Sequence, residues 1–138
     1  MMKKKRVWFC LPASVGALIL ECLPCGAVLN FANPDGSPFR QTFSYFDMIS
    51  FGYATFAPNI TAWLTCTLLV LTVFLCVKGR AWLFVADLAV SFLAFLASLG
   101  PFLYGLSYVS PTGIAISAVL LLHLIFLLIF GRCNLTQT

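Results

Sequence analysis

From Ile60 to Val77 the chain carries no charged side chain at all. Three other stretches come close: Val7 to Leu29 holds only Glu21, Ala81 to Leu103 only Asp87, and Thr112 to Phe130 only His123. An α-helix rises about 1.5 Å per residue, so roughly 20 apolar residues cross the ~30 Å hydrocarbon core of a bilayer. Each stretch is of that order. Only 9% of the residues are charged, against about 25% in soluble domains, which is too few to cover a water-facing surface. A disordered chain is excluded for the opposite reason, because 62% of the residues are hydrophobic. Backbone groups in lipid must be satisfied internally, by helices or closed barrels. Unbroken apolar runs such as Leu68 to Leu75 and Leu120 to Phe130 do not alternate as barrel strands do. The expected fold is an all-α membrane protein, one domain over 1–138. It is an antiparallel bundle of four transmembrane helices (spans 7–29, 60–77, 81–103 and 112–130) with an aromatic-rich outer loop over 30–58.

Orientation follows from the basic residues. With four spans, Lys3, Lys4, Lys5, Arg6, Lys78, Arg80 and Arg132 fall on one side and only Arg40 on the other. Basic loops stay cytoplasmic, so both termini are expected there, in a multi-pass protein of the plasma membrane. The net charge of +4 is then a topology feature. Basic residues so few and confined to helix ends do not form a nucleic-acid surface; the expected partner is the lipid bilayer. Trp8 and Trp82 fall at the inner interface, and Trp63, Tyr104 and Tyr108 near the outer one, as aromatic belts do. A cleaved signal peptide is the other reading of the first segment, with Lys3–Arg6 as its basic region and Cys25-Gly26-Ala27 as its cleavage site. The length of the apolar run favours an uncleaved helix.

In the outer loop, Asn33-Pro34-Asp35-Gly36-Ser37-Pro38 is a turn. After it, Phe39, Phe43, Phe46, Ser50 and Tyr53 recur at helical spacing, and Phe51 and Phe56 add further rings. An amphipathic helix in the headgroup layer is expected here. It either completes the fold or offers a docking surface to a membrane-protein partner or a second copy. The run Gly26 to Asp47, GAVLNFANPDGSPFRQTFSYFD, with Phe51-Gly52-Tyr53-Ala54 after it, resembles small four-helix membrane proteins of gut-type Gram-positive bacteria. That group has no assigned activity, so the resemblance implies a bacterial plasma-membrane setting and assigns no residue a role. Two N-x-T sequons, at Asn59 and Asn134, read as chance matches to a short pattern.

Helices in lipid associate through small residues and modest polar contacts. Three segments carry such a stripe: Cys10, Ser14, Ala17, Glu21 and Cys25; Thr61, Thr65, Leu68, Thr72 and Cys76; Asp87, Ser91, Ala94, Ser98 and Pro101. These faces are expected to point inward. Phe84, Leu88, Phe92, Phe95 and Leu99 are expected to face lipid. In the fourth segment Gly113 and Ser117 mark a close-packing edge that is expected to lie off the His123 face.

Glu21, Asp87 and His123 are the candidate proton or ion site, because a charge at a helix centre costs about 2.5–3.5 kcal/mol and is retained mainly for pairing or function. Asp87 and His123 both lie about 9–10 Å above the inner ends of their helices, so a hydrogen bond between them is expected. The alternative partner of Asp87 is Arg80. Glu21 lies about 12 Å below the outer end, near the depth of Thr65. It is expected either to donate, protonated, to a neighbouring helix or to serve as a coupling carboxylate.

Cys22-Leu23-Pro24-Cys25 is a C-x-x-C at the outer end of the first span and the candidate redox pair. Cys10, Cys76 and Cys133 lie near the cytoplasmic side, where thiols stay reduced. The arrangement resembles the four-helix, disulfide-generating quinone reductases of bacterial membranes. Those carry a second cysteine pair in an outer loop, and this chain has no cysteine in 30–58 or 104–111. One C-x-x-C also falls two ligands short of a zinc site, so no metal and no cofactor is expected. No P-loop, nucleophile elbow, dinucleotide fingerprint or H-E-x-x-H is present. The leading expectation is a non-enzymatic membrane protein, an accessory subunit or structural bundle. The alternatives are a small proton-coupled transporter using Glu21, Asp87 and His123, and a thiol oxidoreductase using Cys22 and Cys25.

Overall fold

The computed structural model describes residues 8–49 and 55–135, with backbone alone from 130 onward. It is mostly helical. Helix α1 (Cys10–Cys22) is followed by a hairpin of β1 (Ala27–Ala32) and β2 (Pro38–Phe43). Then come α2 (Ala57–Lys78), α3 (Ala81–Ser98), the short α4 (Gly100–Tyr104), a 3-10 turn (Leu106–Tyr108) and α5 (Pro111–Leu135). Three helical stretches, Ala57–Lys78, Ala81–Tyr104 and Pro111–Ile129, are long and apolar enough to cross a membrane.

The helix ends follow local chemistry. Pro58 opens α2 in the first turn, where its missing N–H costs nothing. Gly79 closes it in the left-handed region (φ 61°), its N–H donating to the Leu75 carbonyl at 2.9 Å. That tight link turns α3 back antiparallel to α2. Ser110 caps α5: its Oγ accepts from the Gly113 N–H at 2.8 Å and donates to the Gly26 carbonyl.

The principal helix contacts join α1 to α2, α2 to α3, α3 to α5 and α5 to α1, a closed ring of four. Two clusters fill it. Ala17, Tyr45, Leu68, Ala94 and Leu120 belong to one, toward the hairpin end. Cys10, Leu75, Cys76, Leu83 and Leu127 form the other, at the opposite end. The three small-residue stripes are buried as expected over Cys10–Glu21, Thr61–Cys76 and Asp87–Ser98, while Cys25 is exposed and Pro101 half-buried.

Four expectations are corrected. The stretch 7–29 is not one helix. Pro24 disfavours helical geometry in the residue before it, so α1 ends at Cys22, and Ala27 to Ala32 enter a strand. Thirteen helical residues span about 20 Å, short of the hydrocarbon thickness. Over its first part the expected aromatic helix is a strand instead: Phe39 and Phe43 belong to β2, in a hairpin pairing Ala27 with Phe43 through to Ala32 with Pro38. Ser50, Phe51 and Tyr53 lie outside the described residues. On α3, Phe92 is exposed as expected, but Phe84, Leu88 and Phe95 are half-buried against the core, and Trp82, Val85, Leu93 and Leu96 are among the exposed residues instead. At 100° per residue Phe84, Leu88 and Phe95 flank the Asp87 stripe rather than opposing it. Finally, Gly113 and Ser117 share the buried side of α5 with Ile116, Leu120 and His123, a face broader than one i, i+4 row.

The hairpin turn is polar and internally satisfied. Gly36 takes φ 80°, and Asp35 accepts from both the Ser37 N–H and the Ser37 hydroxyl, which hold its carboxyl below the usual range. Arg40 of β2 donates to the Val109 carbonyl at 2.9 Å, tying the hairpin to the turn before α5.

Candidate functional site

Glu21, Asp87 and His123 are all fully buried, and each reaches a neighbouring helix. At the hairpin end, Glu21 Oε1 of α1 lies 2.7 Å from Thr65 Oγ1 of α2. In the other half, Asp87 Oδ1 and Oδ2 of α3 lie 3.1 and 3.3 Å from Thr72 Oγ1 of α2. His123 Nδ1 of α5 lies 3.1 Å from the Cys10 carbonyl of α1. A carbonyl only accepts, so Nδ1 is the donor.

The Asp87–His123 bond is therefore not formed. Matching depth is not matching azimuth. The tight α2–α3 turn sets Thr72 against Asp87, while α5 faces α1 with its histidine. Nor is Arg80 the partner; it precedes α3 in extended backbone. The expected Glu21–Thr65 proximity does hold. A double-mutant cycle should accordingly give about 1 kcal/mol of coupling between Asp87 and Thr72 and none between Asp87 and His123. Steric-trap unfolding in bicelles would measure both, and a larger Asp87–His123 term would contradict the geometry.

A fourth contact completes the ring. Ser117 Oγ of α5 is 3.3 Å from the Ser98 carbonyl of α3. Each of the four helix interfaces thus carries its own polar latch. Five buried side-chain atoms have no hydrogen-bond partner among the described residues: Glu21 Oε2, Ser91 Oγ, His123 Nε2, Tyr45 Oη and Asn59 Oδ1.

Tyr45 was invisible to sequence reasoning, which singled out the neighbouring rings of the loop and not this one. It is fully buried and plugs the hairpin end of the bundle. Its N–H donates to the Glu21 carbonyl at 3.0 Å, its carbonyl accepts from Asn59 Nδ2 at 3.0 Å, and its ring lies on Gly26. Burial pushes its phenol above the ordinary range. Asn59, read as a chance sequon, also donates to the Asp47 carbonyl and so fixes the segment that carries Tyr45. Beside the tyrosine, a cleft lined by Gly26, Ser98, Tyr108, Ser110 and Gly113 has room for about one water molecule.

Cys22 and Cys25 are exposed free thiols. Cys22 is the last residue of α1 and Cys25 sits in the turn after it, with its Sγ 3.3 Å from Thr112 Oγ1. Cys66 of α2 lies within electrostatic range of Cys22 and Glu21. Among the described residues no group of three His, Cys, Asp or Glu side chains is placed to hold a metal ion.

No protein-family model matches the chain, and neither a curated protein nor a solved structure matches it.

Proposed function

We propose that this chain is a four-span protein of a bacterial-type plasma membrane, with both termini cytoplasmic, that acts by association rather than catalysis, as an accessory subunit or structural bundle. The observation that carries the reading is the ring of latches. Glu21, Asp87 and His123 each hold one helix to the next, so the costly polar groups of the interior serve assembly. The outward surface supports it too, with Val70, Phe74, Val85, Phe92 and Leu122 exposed as a lipid-facing coat would require. In this reading α1 completes its crossing with Trp8 and Phe9 at one end and the buried start of β1, Ala27 to Leu29, at the other. The basic bias of the sequence supports the orientation. The hairpin, whose second strand is almost wholly exposed, is the surface available to a membrane-protein partner or a second copy.

A second reading, a small proton-coupled transporter, is favoured by the buried atoms left without partners, Ser91 Oγ and His123 Nε2 above all. One experiment separates the two. Reporter fusions after Arg80 and after Thr138 should read cytoplasmic, and one within 33–38 external. The purified chain in proteoliposomes with a trapped pH dye should then hold an imposed proton gradient as well as empty liposomes do. Proton flux that disappears in Glu21→Gln or Asp87→Asn would overturn the first reading in favour of the second.

A further inference from the structure

The two carboxyl contacts share an unusual proton count. Thr65 Oγ1 lies 2.7 Å from Glu21 Oε1 and also 3.0 Å from the Thr61 carbonyl. Thr72 Oγ1 lies against Asp87 and also 2.9 Å from the Leu68 carbonyl. A threonine hydroxyl has one hydrogen. If it points to the backbone carbonyl, an ionised carboxylate would set lone pair against lone pair. If it points to the carboxylate, the same conflict moves to the carbonyl. A proton on the carboxyl removes the conflict at both sites: the acid donates to the threonine, and the threonine donates to the carbonyl one turn back.

A second, independent observation points the same way. Glu21 is fully buried, and its Oε2 has no partner among the described residues. A carboxylate oxygen stranded without a donor in an apolar interior is far costlier than the carbonyl oxygen of a neutral acid. Among the described residues no cationic side chain is hydrogen-bonded or ion-paired to either carboxyl. Tyr45, from the segment after β2, and Cys66 of α2 are the titratable groups near Glu21, with Cys22 beside it on α1. Cys10 of α1 and Cys76 of α2 are those near Asp87. His123 of α5 is turned to the Cys10 carbonyl.

We infer that Glu21 and Asp87 are two proton-binding sites, each occupied at neutral pH by one proton that the carboxylic acid donates to Thr65 or Thr72. Helix α2 is then held on both flanks by the same device, acid to hydroxyl to carbonyl, repeated seven residues apart. The inference holds whether or not the bundle carries a solute. It also makes both residues targets for hydrophobic carbodiimides, which react with protonated carboxyls inside membranes.

The test is infrared spectroscopy of the full chain in lipid nanodiscs at neutral pH. The carbonyl stretch of protonated carboxylic acid, above the amide I band, should lose one component in Glu21→Gln and another in Asp87→Asn. Thr65→Val should shift the Glu21 component to higher frequency, since its O–H loses an acceptor. A variant that removes a carboxylate stretch instead would overturn the inference for that residue. Should a variant fail to fold, the wild-type chain decides: dicyclohexylcarbodiimide adducts mapped to Glu21 and Asp87 uphold the inference, and their absence together with no protonated-acid band overturns it.

Discussion

Gly100→Val should destabilise the bundle by about 2–3 kcal/mol, the upper range for overpacking a filled contact. The residue opens α4, where the chain bends after α3, and a Cβ there would fall on the side chain of Ala57 at the start of α2. Its backbone does not require glycine, since among the described residues the glycines with positive φ are Gly36, Gly79 and Gly105. A larger residue would in fact gain some helix propensity, worth less than about 1 kcal/mol, so the steric term decides the sign. The second substitution Ala57→Gly should recover most of the loss, because it clears the volume the new side chain needs. Unfolding of the single and double variants in a denaturing detergent series would show this. A Gly100→Val chain as stable as the parent would mean that α2 and α4 do not meet.

The bundle was legible because its rule is simple. In lipid, apolar side chains carry no information about which face is inside, so the small and polar residues carry it. Ser14, Ala17 and Glu21, then Thr61, Thr65 and Thr72, then Asp87, Ser91 and Ala94, announced three buried faces. Helix α5 hid its own because bulky Ile116, Leu120 and Leu127 share the buried side with Gly113 and Ser117. The hairpin was missed for a different reason. Phe39, Phe43 and Phe46 fall at spacings of four and three, which suits a helix, whereas only Phe39 and Phe43 belong to β2 and Phe46 lies beyond it. The apolar run through Leu29 masked β1, since a strand buried at its start is as apolar as a span. Pro24 was the available clue. For the site, depth could be read from helix rise, and it placed Glu21 beside Thr65 correctly. Depth without azimuth paired Asp87 with the wrong residue. The partner, Thr72, stood in the sequence as another small residue, and only the α2–α3 turn tells it apart.

Leu68 is where the fold and the two carboxyl sites meet. It lies between Thr65 and Thr72 on α2, fully buried beside Ala17, Ala94 and Leu120. Those neighbours put apolar side chains between the Glu21 and Asp87 levels, which are about 10 Å apart along the helix. In water-soluble cores Leu→Ala costs about 2–5 kcal/mol, part transfer and part cavity. Lipid is as apolar as leucine, so the transfer part falls away and the cavity part remains. Leu68→Ala should therefore cost about 2 kcal/mol. A small cavity lined by alanine and leucine stays empty, so the variant should still hold a proton gradient in liposomes. Leu68→Ser lowers the barrier differently, because its hydroxyl gives water a partner between the two acids. If either site exchanges protons with the other, it will leak where Leu68→Ala does not. Equal leakage from both variants would show that packing alone, not dryness, separates the two levels.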